Sequence, residues 1–385
     1  MILFFALLSV VFIMVIALSW YALGAVVSPS RLAGTRGGLM LLDMATVAVM
    51  IFGRSLFHGH DEAERISYII IAMIWMAQFL FGLIVALIRL ARWAYYRSAS
   101  RTDDVADPDK RRLLKGAMIY PIVAAGASLY GGTAGRIETV VREMDVPVGE
   151  IGDDLENYRI AQISDVHLGK FFSLDDLRDL MEKAAGTKAD VLALTGDIFD
   201  DNEMNERAVS LIGEYTERFP DGIWFCYGNH EYFRDVERTN RALINTKIHV
   251  LKNDHIRLKK GKRPFYIVGV DYPRPRSAFE EKEKRCARDA FEGIPKNAVT
   301  VLLAHHPDFI DDAAEHDATL VLTGHTHGGQ LGLMGVPLVP PVFKYMRGVY
   351  RVGDTVGYVH SGNGSWFPWR LGCPPEIAVF RFVKG

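Results

Sequence analysis

Two long stretches without a charged residue constrain the front of this chain more than any other feature. Residues 2–27 and 66–88 contain 26 and 23 uncharged, mostly apolar residues. About 20 apolar residues in a helix cross the hydrocarbon core of a bilayer, and soluble helices rarely run so long without a polar face. We expect both stretches to be retained membrane helices. Two weaker stretches, 37–53 and 116–135, are expected to complete an all-α transmembrane region of about four helices within residues 1–135.

The two weaker stretches each contain residues that disfavour a lipid-facing helix. Asp43 interrupts the stretch 37–53, whereas Pro121 and several glycines interrupt 116–135. Because a carboxylate is costly against lipid, we expect Asp43 to face the helix bundle or to lie near a headgroup. The alternative that residues 116–135 only lie on the membrane stays open.

A basic stretch between the third and fourth apolar segments indicates the topology. Residues 89–115 contain eight Lys or Arg and four Asp, which favours a cytoplasmic location. Arg111 and Arg112 precede an apolar run and resemble a twin-arginine export signal; a plain basic flank is an equal alternative. If residues 116–135 span, the remaining chain lies outside the cytoplasm. We expect a multi-pass protein of the cell (inner) membrane with an extracytoplasmic rear domain, the cytoplasmic face being the alternative.

From about residue 153 the pattern changes to short apolar runs that each end in polar residues. The runs are continuous rather than alternating, as in strands covered on both faces. Helical patterns at 174–185 and 280–291 fall between them. This order predicts an α/β domain with the strands at its centre. The five runs are 159–163, 191–194, 223–227, 299–304 and 320–322.

The polar residues after these runs form a candidate metal centre. Ligand sites in α/β sheets lie beyond the carboxyl ends of strands, and a glycine before three of the clusters allows a sharp turn. Imidazole, carboxylate and amide ligands without thiolates suit Mn, Fe, Zn or Co. The candidates are too many for one ion and fit two ions that share a carboxylate. They include Asp165, His167, Asp197, His325 and His327, together with polar residues at 229–230 and 305–306.

These motifs resemble the calcineurin-like metallophosphoesterases, in particular their membrane-associated bacterial branch. The resemblance covers about residues 159–382 and is carried by 164–169, 324–330 and the late stretch 362–377. That branch includes transmembrane proteins with a metallophosphoesterase domain, twin-arginine-exported phosphoesterases and enzymes that cleave UDP-2,3-diacylglucosamine. The resemblance implies a four-layer αββα sandwich over residues 159–385, with 136–158 as a linker and leading strand.

The resemblance also implies a role for each candidate residue. The first metal ion would be held by Asp165, His167 and His327. The second would be held by Asn229, His305 and His325, with Asp197 bridging the two. His305 is preferred over His306 because the family pattern reads His-x-Pro. His230 would face the scissile phosphate and act on the leaving oxygen instead of binding metal.

These observations predict a membrane-anchored hydrolase that cleaves a phosphoester or pyrophosphate bond through a hydroxide activated by two divalent ions, manganese among them. A lipid-linked substrate such as UDP-2,3-diacylglucosamine, and so a role in lipid metabolism, is the simplest expectation for a tethered domain. The alternatives are a membrane sensor or scaffold without activity, and a phosphodiesterase of soluble nucleotides. The net charge of −2 disfavours nucleic acid as a partner, and three distant cysteines without Cys-x-x-Cys disfavour a disulfide framework.

Overall fold

The computed structural model describes residues 2–98, 119–149, 151–152, 155–274, 276–333, 336–338, 342–365 and 367–385. The chain divides into two compact units. The first contains Met1–Ala134 together with Phe367–Trp369, and the second contains Gly135–Trp366 together with Arg370–Gly385. The twin-arginine pair Arg111 and Arg112, and most of the basic stretch 89–115, lie outside the described residues.

Helices dominate the part of the chain before the first strand. They are α1 (Ile2–Val26), α2 (Pro29–Leu56), α3 (Asp61–Ser98), α4 (Ile119–Gly132) and α5 (Ala134–Ile137). By length and composition, Pro29–Leu56 and Asp61–Tyr95 are long and apolar enough to cross a membrane, and Phe12–Val26 is a shorter apolar helix. The 14 described residues of α4 reach about 21 Å, which is less than the hydrocarbon thickness of about 30 Å.

Asp43 faces the interior of the helical unit, as expected from the cost of a carboxylate in lipid. It is only 1% exposed, and its Oδ1 accepts a hydrogen bond of 2.6 Å from Nε2 of Gln78. The Ser19 hydroxyl in turn donates to Oε1 of Gln78 at 3.5 Å. Because a buried polar group without a partner is costly, this side-chain network fixes how α1, α2 and α3 face one another.

Two six-stranded sheets form the centre of the second unit. Their strand orders are β1-β14-β2-β3-β4-β5 and β12-β13-β9-β8-β7-β6, and a two-stranded hairpin, β10-β11, stands apart. The first seven strands are β1 (Val140–Val148), β2 (Arg159–Ile163), β3 (Val191–Thr195), β4 (Ile223–Cys226), β5 (His249–Val250), β6 (Asp254–Leu258) and β7 (Phe265–Gly269). The others are β8 (Val299–Leu303), β9 (Leu320–Thr323), β10 (Gly332–Leu333), β11 (Val336–Pro337), β12 (Gly348–Val352), β13 (Thr355–Val359) and β14 (Glu376–Lys384).

Helices cover the outer face of each sheet. They are α6 (Leu174–Gly186), α7 (Asn205–Gly213), α8 (Val236–Ile244), α9 (Phe279–Phe291) and α10 (Phe309–Glu315). One apolar core joins the two sheets, with Trp224 from one side and Phe265 from the other. A second core packs α6–α8 on the first sheet, and a third packs α9 and α10 on the second sheet. The predicted four-layer αββα arrangement is therefore confirmed.

The five strands predicted from continuous apolar runs are present with ends shifted by at most one residue. Every residue of β3 and β8 is buried, because each of these strands has packing partners on both faces. Edge strands gave a weaker sequence signal, because β6 and β12 contain only exposed and partly buried positions. Tyr227 and Ala304 lie just past the strands that were predicted to include them.

We expect Gly364→Ala to destabilise the second unit. The Gly364 N–H donates to the Asp165 carbonyl at 2.9 Å, and an added Cβ would lie 1.7 Å from the Val166 carbonyl oxygen. Overpacking of this kind costs about 1–3 kcal/mol. The matched control is Gly186→Ala, where a Cβ meets nothing within 4 Å. Denaturant unfolding of the purified chain in detergent gives the comparison, and equal midpoints for the two variants would contradict the expectation.

Candidate metal centre

All seven predicted ligands converge beyond the carboxyl ends of five strands. β2 and β3 belong to one sheet with β4, and β8 and β9 belong to the other. The loop after β2 supplies Asp165 and His167, and the loop after β9 supplies His325 and His327. The loops after β3, β4 and β8 supply Asp197, Asn229 and His305. The strand-end pattern therefore located one site rather than several scattered polar loops.

The first group of ligands contains Asp165, His167 and His327. Their ligand atoms lie within 4.8 Å of one another, and all three residues are buried. Nε2 of His167 is 3.0 Å from Nε2 of His327, which is 3.4 Å from Oδ1 of Asp165. Two imidazole nitrogens and a carboxylate that point at the same small space match the ligand types preferred by Zn, Mn and Fe.

The second group contains Asp197, His305 and His325, again within 4.8 Å. Nε2 of His305 is 3.0 Å from Nδ1 of His325, 3.2 Å from Oδ1 of Asn229 and 3.2 Å from Oδ2 of Asp197. The same Asp197 oxygen is 3.8 Å from Nε2 of His167, which belongs to the first group. Asp197 therefore lies between the two groups, in the position expected of a shared carboxylate.

His230 lies beside the two groups and is partly open to solvent. Its Nδ1 is 2.7 Å from Oδ2 of Asp200, with 23% of the side chain exposed, and its backbone N–H donates to Oδ1 of Asp197 at 2.8 Å. His230 also forms a potential metal-binding trio with His167 and Asp197. This geometry fits a ligand as well as a group that faces the substrate, so the non-ligand role of His230 stays a prediction.

Left-handed backbone conformation is concentrated in the ligand loops, which contain half of the non-glycine residues that adopt it among the described residues. Five predicted ligands have φ values between 47° and 72°, in the left-handed region. Residues other than glycine adopt this region at an energetic cost, and such residues concentrate at functional sites where the surrounding structure enforces them. The five are Asp165, His167, Asp197, His325 and His327.

The glycines that precede three ligands are needed mainly for space, which corrects the sharp-turn explanation. Of these three glycines, Gly196 alone has a left-handed φ, of 81°. A Cβ on Gly228 would lie 2.2 Å from Oδ1 of Asp197, and one on Gly324 would lie 2.2 Å from Oδ2 of Asp165. These two glycines are therefore required because the ligand carboxylates pack directly against their backbone.

Electrostatics in the centre separate the histidines by charge. Burial disfavours the charged forms of both Asp197 and His305, but the attraction between the two opposite charges is stronger. This attraction holds the pKa of Asp197 well below its usual value and raises the pKa of His305 to about 10. Burial, with the charges of His305 and His306, lowers the pKa of His325 to about 3. At neutral pH His325 is thus in the neutral, metal-binding form, and a metal ion can replace the proton that His305 holds beside Asp197.

Asp200 is a site residue that the sequence analysis missed. Its Oδ2 is 3.1 Å from Nδ1 of His167 and 2.7 Å from Nδ1 of His230, and its Oδ1 forms a 2.9 Å ion pair with Arg234. Burial raises the pKa of Asp200, but the hydrogen bonds from the two histidines outweigh it and bring the pKa to about 2. Asp200 follows Asp197 by three residues, and the two apolar residues between them, Ile198 and Phe199, are too short a run to predict a strand, so the strand-end pattern did not select it.

Glu231 holds the loop that carries Asp197. This carboxylate is 1% exposed and accepts hydrogen bonds of 2.7–3.0 Å from the backbone N–H groups of Asp197, Ile198, Phe199 and Gly228. A carboxylate bound by four backbone donors cannot also reach the centre. It stabilises the left-handed conformation of Asp197 instead.

The late stretch of the chain supports the ligand loops through Arg370 and Asn363, two residues of the 362–377 motif to which the sequence alone assigns no role. Arg370 is fully buried, and its Nη2 lies 3.1 Å from Nδ1 of His327. Burial, with the charges of His167 and Arg370, keeps the pKa of His327 well below its usual value. Asn363 accepts a 3.2 Å hydrogen bond from the Ser164 N–H, next to Asp165.

Comparison with known proteins identifies relatives of the second unit. The calcineurin-like phosphoesterase family profile matches residues 158–329, a range that contains all seven ligands. The transmembrane protein with metallophosphoesterase domain of Danio rerio is 28% identical over 293 residues, which cover 73% of this chain and 65% of that protein. The chain thus spans just under two thirds of that relative's length. The uncharacterized metallophosphoesterase YkuE of Bacillus subtilis is 29% identical over 291 residues, which cover 70% of this chain and 96% of that protein.

Among solved structures, the sulfate thiohydrolase SoxB of Thermus thermophilus is similar to this chain at 14% identity and a TM-score of 0.35. The alignment covers 59% of this chain and 56% of SoxB. A similarity this low does not bear on the function.

We expect Asp200→Asn to lower the affinity of the chain for Mn²⁺ about 10- to 100-fold, the usual cost of losing a group that orients a metal ligand. The amide keeps one acceptor for His167 but loses the negative charge. The matched control is Asp201→Asn, because Oδ1 of Asp201 accepts from the Glu203 N–H and an amide oxygen does the same. Equilibrium dialysis with metal analysis measures the affinities; equal values for the two variants would refute the orienting role.

Proposed function

We propose that this chain cleaves a phosphoester or pyrophosphate bond with two divalent metal ions. The proposal starts from its calcineurin-like metallophosphoesterase domain, which makes the chain a hydrolase of phosphoester bonds. The observation that carries the proposal is the convergence of seven ligands in two groups on either side of Asp197. A sensor or scaffold derived from such a domain has no need to keep every ligand. Retention of the full set therefore favours an enzyme.

The donor set fits two ions of Mn, Fe, Zn or Co, which the resemblance assigns as follows. One ion would be held by Asp165, His167 and His327, and the other by Asn229, His305 and His325, with Asp197 shared. When bound, such ions activate water and neutralise charge on the phosphoryl oxygens. The chain itself contributes ligand orientation through Asp200, Glu231 and Arg370, whose contacts leave little freedom to His167, Asp197 and His327.

His230 is proposed to give a proton or hydrogen bond to the leaving oxygen. Burial lowers the pKa of His230, but the hydrogen bond with Asp200 and the charge of Asp197 raise it above the usual value. The raised pKa favours the imidazolium form that proton donation needs. The partial exposure of His230 gives a substrate access to this side chain.

Two substitutions separate the proposed roles of Asp197 and His230. We expect Asp197→Asn to lose the two ions of this centre together with activity, because the shared carboxylate neutralises two cations. We expect His230→Ala to keep the two ions of this centre and to lose roughly 100- to 10,000-fold in turnover. Metal content and hydrolysis of an aryl phosphodiester with Mn²⁺ are measured together on the purified chain.

The control for this pair is His249→Ala, which removes a histidine stacked on Trp224 outside the centre. Full activity of Asp197→Asn would refute the two-ion proposal. Loss of an ion in His230→Ala would instead make His230 a ligand. No hydrolysis by the wild-type chain would favour the sensor or scaffold.

We further propose an amphiphilic, lipid-linked substrate, of which UDP-2,3-diacylglucosamine is one example. Apolar surface next to the centre supports this. Phe233 is 65% exposed, and its ring centroid lies 5.1 Å from that of His230. Phe343 lies at the same distance from His325. Rings in these positions suit an apolar group near the reacting phosphate; a soluble nucleotide diester is the alternative.

The substrate proposal predicts faster hydrolysis of an acylated substrate than of the same headgroup without chains, since each buried methylene contributes about 0.8 kcal/mol. Phe233→Ala should reduce this preference, and Phe233→Leu, which keeps apolar surface, should retain most of it. The ratio of kcat/KM for the two substrates is the measurement. Equal rates on both substrates in the wild-type chain would contradict the proposal and leave the membrane region with an anchoring role only.

For localisation, we propose a multi-pass protein of the cell membrane. Its transmembrane region would cover residues 1–135, followed by a linker and leading strand at 136–158 and an extracytoplasmic catalytic domain at 159–385. The relative named a transmembrane protein and two apolar helices of spanning length support a membrane location. Reporter fusions after residue 150 test the orientation: alkaline phosphatase activity supports export, whereas a fluorescent cytoplasmic reporter refutes it.

A further inference from the structure

A third cluster of potential ligands lies outside the two groups that share Asp197. It consists of Glu283, on α9, and of His306 and Asp308, which follow β8. Their ligand atoms lie within 4.8 Å of one another. Nδ1 of His306 is 4.0 Å from Oε1 of Glu283 and 3.6 Å from Oδ2 of Asp308. These side-chain separations are too long for hydrogen bonds. Nδ1 of His306 accepts a long hydrogen bond of 3.4 Å from the backbone N–H of Asp308, which a bound metal ion would displace.

The Glu283 carboxyl lacks compensation in this cluster. Its side chain is 7% exposed, and among the described residues Oε1 has no hydrogen-bond partner. Burial, together with the charges of Asp312 and Asp308, raises its pKa to about 8. Taking a carboxyl group out of water without a partner is costly, so a cation bound at this point would stabilise the fold.

The neighbouring lysines do not supply that cation. Lys284 pairs with Glu280 at 3.1 Å, and Lys344 pairs with Asp311 at 2.7 Å. Within the described part of the chain, His306 is the one basic side chain within ion-pair distance of Glu283. The cluster therefore contains two carboxyl groups and one basic side chain, and a bound cation would compensate the second carboxyl group.

We propose that Glu283, His306 and Asp308 form a third divalent-cation site, suited to Zn²⁺. One imidazole and two carboxylates are common Zn²⁺ ligands. Ligand atoms around a tetrahedral ion at about 2.1 Å lie about 3.4 Å apart, and the separations of 3.6 and 4.0 Å reach this value with small side-chain movements. Asp308 is 40% exposed, which leaves the site open to ion entry and to a water ligand.

An ion in this site would also fix the loop that carries His305. His306 directly follows His305, and its ring centroid lies 5.0 Å from that of His325. The site therefore adjoins the second ligand group. Its role would be to hold the loop in place, since none of its three residues reaches Asp197 in the described contacts.

Zn²⁺ stoichiometry of the full chain in detergent tests the proposal. We expect about three ions per chain in the wild type and about two in Glu283→Gln. The matched control is Glu281→Gln, which makes the same chemical change on the exposed face of α9 and should retain three. Circular dichroism of the metal-free variants establishes that each one folds. An unchanged number of ions in Glu283→Gln overturns the proposal and leaves the cluster as an ion pair.

A second pair of variants separates this site from the proposed catalytic centre. Asp197→Asn should retain one ion, and Asp197→Asn combined with Glu283→Gln should retain none. Zn²⁺ should raise the melting temperature of Asp197→Asn but not that of the double variant. The loss of one ion on Glu283→Gln is measured whether or not the chain hydrolyses phosphoesters, so failure of the proposed function and failure of the third site give different results. Equal Zn²⁺ binding by the single and double variants overturns the third site.

Discussion

The centre depends on one buried carboxylate, that of Asp197. Only 2% of this residue is exposed, and its two oxygens meet the His230 N–H, His305 and, at a greater distance, His167. A buried charge is tolerated only when an opposite charge and hydrogen bonds compensate it. Without metal, the proton of His305 provides the opposite charge, as the raised pKa of His305 indicates. The fold therefore places a negative charge where it requires a cation.

The surrounding structure keeps this arrangement against its conformational cost. Left-handed backbone at five ligands is unfavourable in isolation, and neighbouring groups enforce it. Glu231 binds four backbone N–H groups around Asp197, whereas Arg370 and Asn363 reach the loops after β9 and β2 from a distant part of the chain. Glycine at 228 and 324 removes the Cβ atoms that would collide with the ligand carboxylates. The centre is thus rigid because several separate segments meet behind it.

The sequence predicted the parts of this site that depend on local pattern. Strands buried on both faces are continuously apolar, so the central strands and the polar residues that converge at their ends were recognisable. The roles of Asp200 and Arg370 were missed because they depend on contacts between loops, which the periodicity of a sequence does not encode. The parallel pairing of β1 with β14 joins residues more than 200 positions apart, and the sequence analysis placed only a leading strand there. The expectation that glycine allows a sharp turn was wrong at Gly228 and Gly324. It considered the backbone φ angle and not the space that a Cβ atom would occupy.

Charge balance links the ligand set to the class of substrate. Of the seven candidate ligands, only Asp165 and Asp197 are carboxylates; the others are four histidines and one asparagine. Two divalent ions bound as proposed would bring four positive charges, and His305 becomes neutral because one of these ions replaces its proton. The two carboxylates leave a surplus of about two positive charges in a largely buried site, where charges interact strongly. An anionic group such as a phosphoester compensates that surplus, whereas a neutral ester or amide does not, so the scarcity of carboxylates itself favours phosphoester chemistry.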